Sequence, residues 1–178
     1  MIETERLRLR NWRPEDVVAF DTYTNTENVM RWLGGVRSRE ALELVVRDRF
    51  IAWQEDLGHT FWVVERKSDG AFLGFCGLKV ADDGGSPVEG NMEVGWRFRE
   101  DVWGQGYAKE AAIASIDYAF DEIGVPQVIA LTVEGNKASW GLMERLGMKR
   151  RPDLDYEGPE WAEGIVIAYV LRREEWRI

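Results

Sequence analysis

The chain has little of several residue types on which common catalytic and structural sites depend. Its 178 residues include one cysteine, Cys76, and one histidine, His59. A lone cysteine excludes an internal disulfide and fits a reducing compartment, and these two residues are too few to hold a structural zinc ion. A hydrolase of the Ser-His-Asp or Cys-His type would depend on His59 alone. No run of about 20 apolar residues occurs, so no membrane-spanning helix is expected.

The chain also lacks an excess of positive charge. It carries 23 Lys and Arg against 32 Asp and Glu, which gives a net charge of −9. This balance disfavours nucleic-acid binding, which depends on a basic surface, and it is compatible with a cationic partner such as an amine. The first residues, Met1 to Arg6, lack the charged-then-apolar form of a signal peptide. Together with the single cysteine, this predicts a cytoplasmic protein.

Strand and helix patterns fill the chain without repeats, low-complexity segments or linkers, which predicts a single domain over residues 1–178. Alternation of polar and apolar residues predicts strands at 6–10, 60–66, 71–80, 91–99, 127–133 and 165–171. Helical periodicity and capping residues predict helices that start near 14–16 and that span 25–33, 38–55, 109–123 and 136–146. The resulting order, written β-α-α-β-β-β-α-β-α-β, predicts an α/β (α+β) fold with an antiparallel meander and one parallel crossover.

A glycine-rich turn, Trp103 to Ala108, joins the strand that ends near Phe98 to the long helix that follows. A Gly-x-Gly turn before a helix directs several backbone N–H groups to one point, where the helix dipole adds positive potential. The turn therefore predicts a phosphate or pyrophosphate site. The dinucleotide fingerprint would require glycine where Lys109 stands, and no P-loop sequence occurs. From these residues alone, a glycine turn without a ligand remains an equal alternative.

Six groups of residues with a recognisable order extend along nearly the whole chain. They are 4–10 with 14–16, 74–78, 93–96, 103–111, 136–139 and 146–148. Together they resemble the GNAT superfamily of acetyl-CoA-dependent N-acetyltransferases, and in particular its RimJ/RimL-like branch. The resemblance implies a mixed, mostly antiparallel central sheet of about six to seven strands flanked by helices. It also implies an enzyme that uses acetyl-CoA as cosubstrate and no metal.

The phosphate loop of the superfamily has the form Gln/Arg-x-x-Gly-x-Gly/Ala, and here Trp103, Gly106 and Ala108 occupy its defined positions. Backbone N–H groups of such a loop hold the pyrophosphate. The preceding strand binds the pantetheine arm through its backbone. Lys109 replaces the Thr or Ser usual in this branch; it either reaches a phosphate as a point charge or is a solvated lysine. The residues that the resemblance assigns to CoA binding are Trp96, Arg97, Phe98, Trp103, Gly104, Gln105, Gly106, Tyr107, Ala108, Lys109 and Asn136.

The resemblance also assigns roles in the attack of an amine on a thioester. A backbone N–H near Trp96 is expected to bind the oxyanion. Glu93, which alternates with Val94 along its strand, is the candidate base, directly or through water, with a purely structural carboxylate as the alternative. Many members carry a general-acid Tyr at the position of Met143, which cannot donate a proton. Ser139 is then the candidate donor to the CoA thiolate, or it only orients the thiolate or caps its helix.

The acceptor side is expected to be formed by the N-terminal helices and the loops 82–90 and 152–164, with an acidic mouth. Its candidate lining residues are Trp12, Tyr23, Trp32 and Trp161. The expected partner is a primary amine, either a protein N-terminal α-amine or a small molecule, with no nucleic-acid or membrane partner. The chain is expected to be a monomer or a homodimer. Alternative functions are a CoA-binding regulatory module without turnover and an acyltransferase that uses another acyl-CoA.

Overall fold

A mixed β-sheet with helices on both faces forms the framework of the protein. The computed structural model describes residues 1–159, 162 and 164–176. The strands are β1 (Ile2–Glu3), β2 (Leu7–Arg10), β3 (Phe61–Arg66), β4 (Phe72–Val80), β5 (Met92–Phe98), β6 (Gln127–Val133), β7 (Lys149–Arg150), β8 (Tyr156–Glu157) and β9 (Ile165–Arg172). The helices are α1 (Asp16–Thr24), α2 (Glu27–Met30), α3 (Arg39–Val45), α4 (Ala52–Leu57), α5 (Tyr107–Tyr118) and α6 (Lys137–Arg145), with π-helical segments at Val46–Ile51 and Ala119–Ile123. Within these described ranges, no helix is long and apolar enough to cross a membrane.

The strands follow the order β1-β2-β3-β4-β5-β6-β9-β7 across the sheet, and β8 also pairs with β9. β5 and β6 run parallel, whereas the other strand pairs of the described chain are antiparallel. This confirms the predicted mixed, mostly antiparallel sheet. The sheet has nine strands rather than six to seven, because β1, β7 and β8 have two residues each and are too short to show alternation in the sequence.

The two faces of the sheet are buried under different helices. Val94 and Phe98 of β5 pack with Ile116 of α5 in the largest core cluster. On the opposite face, Phe61 and Phe75 belong to a second cluster with residues of α1 and α3. Because side chains alternate along a strand, the even-numbered residues of β5 face α5 and the odd-numbered ones face the N-terminal helices.

Capping side chains begin two of the helices where the sequence predicts them. The Ser38 hydroxyl accepts a hydrogen bond from the Ala41 N–H at 3.2 Å before α3. The Asn136 side chain accepts one from the Ser139 N–H at 3.4 Å before α6. After α6, Gly147 adopts the predicted left-handed conformation, with φ +82°. These local signals fix where α6 begins and ends.

Two helices differ in extent from the prediction. The helix expected at 25–33 is limited to α2, because the Met30 carbonyl accepts the N–H groups of both Leu33 and Gly35 and closes a turn. The helix expected at 109–123 begins earlier, at Tyr107. Its start follows directly from Gly106, whose left-handed φ of +82° ends the preceding turn.

Candidate active site

The sheet opens between its two parallel strands. β5 and β6 are in register at Glu93 and Ile129, and in the described chain they have no further register pair. Below this point, the Gln127 side chain donates to the Asn91 side chain at 2.8 Å and ties the two strand starts together. Toward their carboxyl ends the strands therefore diverge and leave a gap with unpaired backbone groups.

Backbone polarity along β5 decides which groups face this gap. The Arg99 N–H donates to the Leu73 carbonyl at 2.9 Å, and Arg97 stands opposite Phe75 in the same register. The odd-numbered residues of β5 thus exchange hydrogen bonds with β4, and the even-numbered ones direct their N–H and C=O groups to the gap. The N–H of Trp96 is one of these free donors.

The glycine-rich turn after β5 forms a concave array of N–H groups. Gly104 and Gly106 are both left-handed, with φ of +74° and +82°. Among the hydrogen bonds of the described residues, the backbone N–H groups of 104–109 have no acceptor. The first turn of a helix always leaves such donors, and here the dipole of α5 adds positive potential to them. The turn therefore fits an anion such as a pyrophosphate, and the exposed Lys109 stands beside it.

The N-terminal strand segment braces this turn from behind. Glu110 accepts hydrogen bonds from the Arg6 N–H at 2.8 Å, the Arg6 Nε at 2.6 Å and the Thr4 hydroxyl at 2.6 Å. Arg6 also donates through Nη1 to the Gln105 carbonyl at 3.0 Å and lies 4.4 Å above the Tyr107 ring. Arg6 thus connects Gln105 and Tyr107 to Glu110 in the first turn of α5.

Replacing Glu110 by Gln should raise the KM for acetyl-CoA about tenfold or more with little change in kcat. The reason is that a charge-assisted hydrogen bond contributes roughly 1.5–3 kcal/mol, and its loss loosens the turn. The hydrogen bonds from Thr4 and Arg6 outweigh burial and lower the pKa of Glu110, so the carboxylate is ionised through the neutral range. The measurement is steady-state kinetics with Glu122→Gln, an exposed carboxylate outside the cavity, as the control. An unchanged KM for acetyl-CoA in Glu110→Gln would contradict this bracing role.

A cavity of about 1030 Å³ contains the gap and the glycine-rich turn. The predicted residues that line it are Glu93, Trp96, Arg97, Phe98, Trp103, Gly104, Gly106, Tyr107, Ala108, Lys109, Asn136 and Ser139. Gln105 is not among them, because its side-chain amide turns back and donates to the Asp101 carbonyl at 2.9 Å. The structure therefore brings the two predicted catalytic residues and nearly all the predicted CoA-binding residues to one cavity.

The Glu93 carboxylate lies in this cavity beside a lysine. Its Oε2 is 3.4 Å from the Nζ of Lys79, the residue directly opposite on β4, and Lys79 also donates to Asp82 at 2.7 Å. Burial raises the pKa of Glu93, and the charge of Lys79 offsets this only in part. Burial by itself would lower the pKa of Lys79, but Glu93 and Asp82 raise it. Glu93 is thus a fixed carboxylate that holds a proton more strongly than an ordinary glutamate.

Tyr156 reaches the same part of the cavity wall from the short strand β8. Its hydroxyl donates to the Asp83 carboxylate at 2.5 Å. Burial and the negative charge of Asp83 raise the pKa of Tyr156, so the phenol keeps its proton. Tyr156 fixes the loop 82–90 next to Glu93 and adds a polar group to the cavity.

The start of α6 forms the far wall of the gap. Asn136 and Ser139 line the cavity, and neither side chain donates a hydrogen bond within the described chain. Met143 lies one turn further on, is 1% exposed and also lines the cavity. A hydroxyl near the gap is therefore available from Ser139 but not from position 143.

Arg97 holds a position different from the one that the resemblance implies. Its backbone groups face β4 rather than the gap, and its side chain lies 5.0 Å above the Phe20 ring and 5.3 Å above the Phe75 ring. Its Nε and Nη1 atoms are buried without a hydrogen-bond partner among the described residues. Burial, together with the nearby charge of Arg37, lowers the pKa of Arg97 to about 9. The resemblance implies that the Arg97 backbone binds the pantetheine arm. In the structure, Arg97 lines the cavity with its side chain instead.

The aromatic residues predicted to line the acceptor side separate into two groups. Trp32 lines the cavity, whereas Trp12 is 3% exposed and belongs to the core under α1. Tyr23 is exposed and covered on one side by Arg99, whose guanidinium carbon lies 3.8 Å from the ring centroid. Trp161 lies outside the described residues.

The sequence predicted an acidic mouth for the acceptor side, but acidic groups do not form most of the cavity border. Asp155 forms an ion pair with Arg150 instead of facing the cavity. The cavity is lined by Asp82, Asp83 and Glu93 on its acidic side. From the N-terminal helical region and from β5, it is also lined by Arg31, Arg37, Arg49 and Arg97. The cavity thus has both cationic and anionic walls.

Sequence reasoning missed two polar residues of this site, Lys79 and Tyr156. Lys79 could have been found only from the register of β4 and β5, which the irregular loop 82–90 hides. Tyr156 lies in a segment without strand or helix periodicity, so no pattern indicated it. Tertiary contacts alone bring both to Glu93.

Comparison with known proteins agrees with this geometry. A family model described as "Acetyltransferase (GNAT) domain" matches residues 6–149. YkkB of Bacillus subtilis is 33% identical over 150 residues, which covers 82% of this chain and 83% of YkkB. The FsC-acetyl coenzyme A-N(2)-transacetylase of Aspergillus fumigatus is 34% identical over 116 residues, which covers 61% of this chain and 49% of that protein. A GNAT-family acetyltransferase structure from Bacillus anthracis superimposes with a TM-score of 0.79 at 25% identity, over 98% of this chain and 99% of that one.

The opened parallel strand pair and the glycine-rich turn at the start of α5 both lie in the part of the chain that this family model covers. With the match over residues 6–149, this chain belongs to the GNAT acetyltransferase family, of the RimJ/RimL type. It is therefore an N-acetyltransferase, and the family implies acetyl-CoA as its cosubstrate.

Proposed function

We propose that the chain transfers the acetyl group of acetyl-CoA to a primary amine by direct attack within a ternary complex. The observation that carries this proposal is the gap between β5 and β6, with the free Trp96 N–H on one side and the unpaired N–H groups of 104–109 at its end. Acetyl-CoA supplies a thioester, at whose carbonyl carbon the C–N bond forms while the C–S bond breaks. The amine is either a protein N-terminal α-amine or an amine of a small molecule.

Residues of this chain fit the two ends of the cosubstrate. The N–H groups of 104–109 and the Lys109 ammonium provide donors for the pyrophosphate. The backbone groups of Trp96 and the N–H of Phe98, which face the gap, can pair with the amides of the pantetheine arm, whereas the Phe98 carbonyl accepts the indole N–H of Trp103 at 2.9 Å. The Asn136 side chain at the start of α6 offers a further polar contact on the opposite wall.

Glu93 is the group we assign to removal of the proton from the ammonium. Model α-amines have a pKa near about 8 and lysine amines near about 10.4, so an α-amine needs less help from a base. Because burial raises the pKa of Glu93, its proton affinity lies closer to that of an amine than the affinity of a solvated glutamate does. The Lys79 contact keeps the carboxylate in place.

Charge that develops on the thioester oxygen and sulfur requires separate stabilisation. The free Trp96 N–H fits the oxygen, and one such donor contributes about 3 kcal/mol to catalysis. For the sulfur, Ser139 is the available hydroxyl, since Met143 offers no proton. A thiol with a pKa near about 8.5 leaves readily as the thiolate, so we assign Ser139 an orienting or donating role of modest size.

Cys76 is not an acetyl carrier in this scheme. It is 0% exposed, and burial raises the pKa of its thiol to about 12. Cys76→Ala should therefore keep kcat and both KM values within about twofold, because a thiol becomes a nucleophile only as the thiolate. The measurement is an initial-velocity study with both substrates varied, for which intersecting lines are expected. Loss of turnover in Cys76→Ala, with parallel lines in the wild type, would establish a ping-pong mechanism instead.

The proposed function is tested by release of free thiol from acetyl-CoA in the presence of candidate amines. The panel contains peptides with Ser, Ala or Met N-termini, polyamines and aminoglycosides, with Glu93→Gln/Ser139→Ala as the inactive control. Release that needs an acceptor and that disappears in the double variant supports the proposal. Binding of acetyl-CoA without release for any amine would favour a CoA-binding regulator, and release only with a different acyl-CoA would favour another acyltransferase.

A further inference from the structure

The acceptor half of the cavity contains a positive charge that has no counterion among the residues the structure describes. Arg97 projects from the odd-numbered face of β5, and its Nε and Nη1 atoms are buried with no hydrogen-bond acceptor among the described residues. The rings of Phe20 and Phe75 lie beneath the guanidinium and offset part of its desolvation, but they accept no N–H hydrogen bond in its plane. A buried charge with unsatisfied donors is costly unless a ligand supplies the acceptor.

A second arginine strengthens this positive end. Arg37 lines the same cavity and lies close enough to Arg97 to lower its pKa. Its backbone is fixed by Asn25, which accepts the Arg37 N–H at 2.9 Å and donates to the Arg37 carbonyl at 2.8 Å. Within the part of the chain that the structure describes, neither Arg37 nor Arg97 forms an ion pair. Two neighbouring cations without a carboxylate are the arrangement expected for anion recognition.

The opposite end of the acceptor half is anionic. Glu93 lies four residues before Arg97 on the same face of β5, a separation of about 13 Å between Cα atoms. Asp82 and Asp83 lie beside Glu93, with Lys79 and Arg49 as the nearby cations. The wall between the two ends is aromatic, and Phe61 stacks on Phe75 at 5.1 Å. The cavity therefore has an end for an ammonium, an apolar middle and an end for an anion.

We propose that the acceptor carries a carboxylate separated from its amine by a chain of about five atoms, long enough to pass the apolar middle of the cavity, and that Arg97, with Arg37, binds this carboxylate while the amine faces Glu93. The assignment rests on the proposed acetyl transfer and names the chemical class of its acceptor. Two sources share this chemistry: a small molecule whose amine and carboxylate are joined by a chain of about five atoms, and a peptide whose acidic second residue follows the N-terminal α-amine. Arg97 is then the residue that determines acceptor specificity.

The test compares each carboxylate acceptor with its amide. One arm uses 6-aminohexanoate against 6-aminohexanamide, and the other uses an Ala-Asp peptide amide against an Ala-Asn peptide amide. Binding is followed by intrinsic tryptophan fluorescence, to which Trp32, Trp53, Trp96 and Trp103 of the cavity contribute, with CoA present, so that this readout does not need turnover. Thiol release from acetyl-CoA is measured with the same compounds.

We expect at least tenfold tighter binding and a tenfold lower KM for the carboxylate member of one pair, and the responding pair identifies the source. Arg97→Met should make the binding and the KM of the acid and amide acceptors equal, and Arg97→Lys should restore part of the preference. Arg37→Gln, a change on an exposed loop, should reduce the preference and serves if Arg97→Met fails to fold. Arg13→Met is the matched control, because Arg13 is exposed and lies outside the cavity.

Equal binding of acid and amide in both arms, or a preference that survives in Arg97→Met and in Arg37→Gln, overturns the proposal. Failure of the proposed acetyl transfer gives a different result, since binding would then discriminate between acid and amide although no thiol is released. Thiol release with amides alone would support the acetyl transfer and reject the carboxylate class.

Discussion

Replacing Glu93 by Gln is expected to lower kcat/KM for the amine about 10²- to 10⁴-fold, the range that a positioned general base contributes. Glutamine keeps the size of the side chain and its contact with Lys79, but it cannot accept the proton of the ammonium. Lys79 retains its bond to Asp82, so the variant should fold. The affinity for acetyl-CoA should be unchanged, because the groups proposed to bind CoA lie on the even-numbered backbone of β5 and at 104–109.

The pH profile distinguishes a base from a structural carboxylate. Glu93 must be deprotonated to act, and burial raises its pKa above the ordinary value of a glutamate. The rate of the wild type should therefore fall as the pH decreases through this raised pKa, and Glu93→Gln should lack that acidic limb. Glu122→Gln is the control, because Glu122 is exposed and outside the cavity. A small rate loss in Glu93→Gln, with an unchanged pH profile, would mean that Glu93 is not the base and only forms a structural contact with Lys79.

Replacing Gly106 by Ala is expected to weaken acetyl-CoA binding more than tenfold. The left-handed φ of +82° costs a non-glycine residue roughly 1–2 kcal/mol, and the added Cβ would lie 3.3 Å from the Nη2 of Arg6. Relief of this strain rotates the peptide units of the turn, which turns the N–H groups of 104–109 away from their common point. Equilibrium titration with acetyl-CoA and with CoA measures the loss.

Gly124 offers a matched comparison for this substitution. It has nearly the same conformation, with φ +79°, and its Cβ would meet open space after the π-helical end of the long helix, outside the cavity. Gly124→Ala should show a similar loss of thermal stability with no change in acetyl-CoA affinity. Equal affinities in the two variants would mean that the turn at Gly106 does not organise an anion site.

The parts of the fold that sequence predicted are those governed by local interactions. Ser38, Asn136 and Gly147 cap their helices through contacts within a few residues, and these signals are present in the sequence. The alternation in β5 likewise separated Glu93 from Val94. The two-residue strands β1, β7 and β8 were not predictable, because their pairing depends on longer neighbouring strands rather than on their own composition.

The parts of the candidate site that consist of backbone groups in one continuous segment could be predicted from the sequence. The side chains that reach the site from distant segments could not. The resemblance led to the turn at 103–109 and to Glu93. The contact between Lys79 and Glu93 depends on the register of β4 and β5. The burial of the Arg97 side chain depends on Phe20, which belongs to a helix far away in the sequence. For the same reason, the predicted acidic mouth did not anticipate the arginines of the cavity.

The alternation along β5 also separates two kinds of evolutionary constraint. In the proposed mode of binding, its even-numbered positions meet the cosubstrate through peptide groups, which every amino acid possesses, so that this mode tolerates changes of side chain. Its odd-numbered positions, such as Glu93 and Arg97, line the cavity through side chains on the proposed acceptor side. A mutation at an odd position can therefore redirect the enzyme to another amine without loss of acetyl-CoA binding. One seven-residue strand thus lets a lineage change its substrate while its source of acetyl groups stays constant.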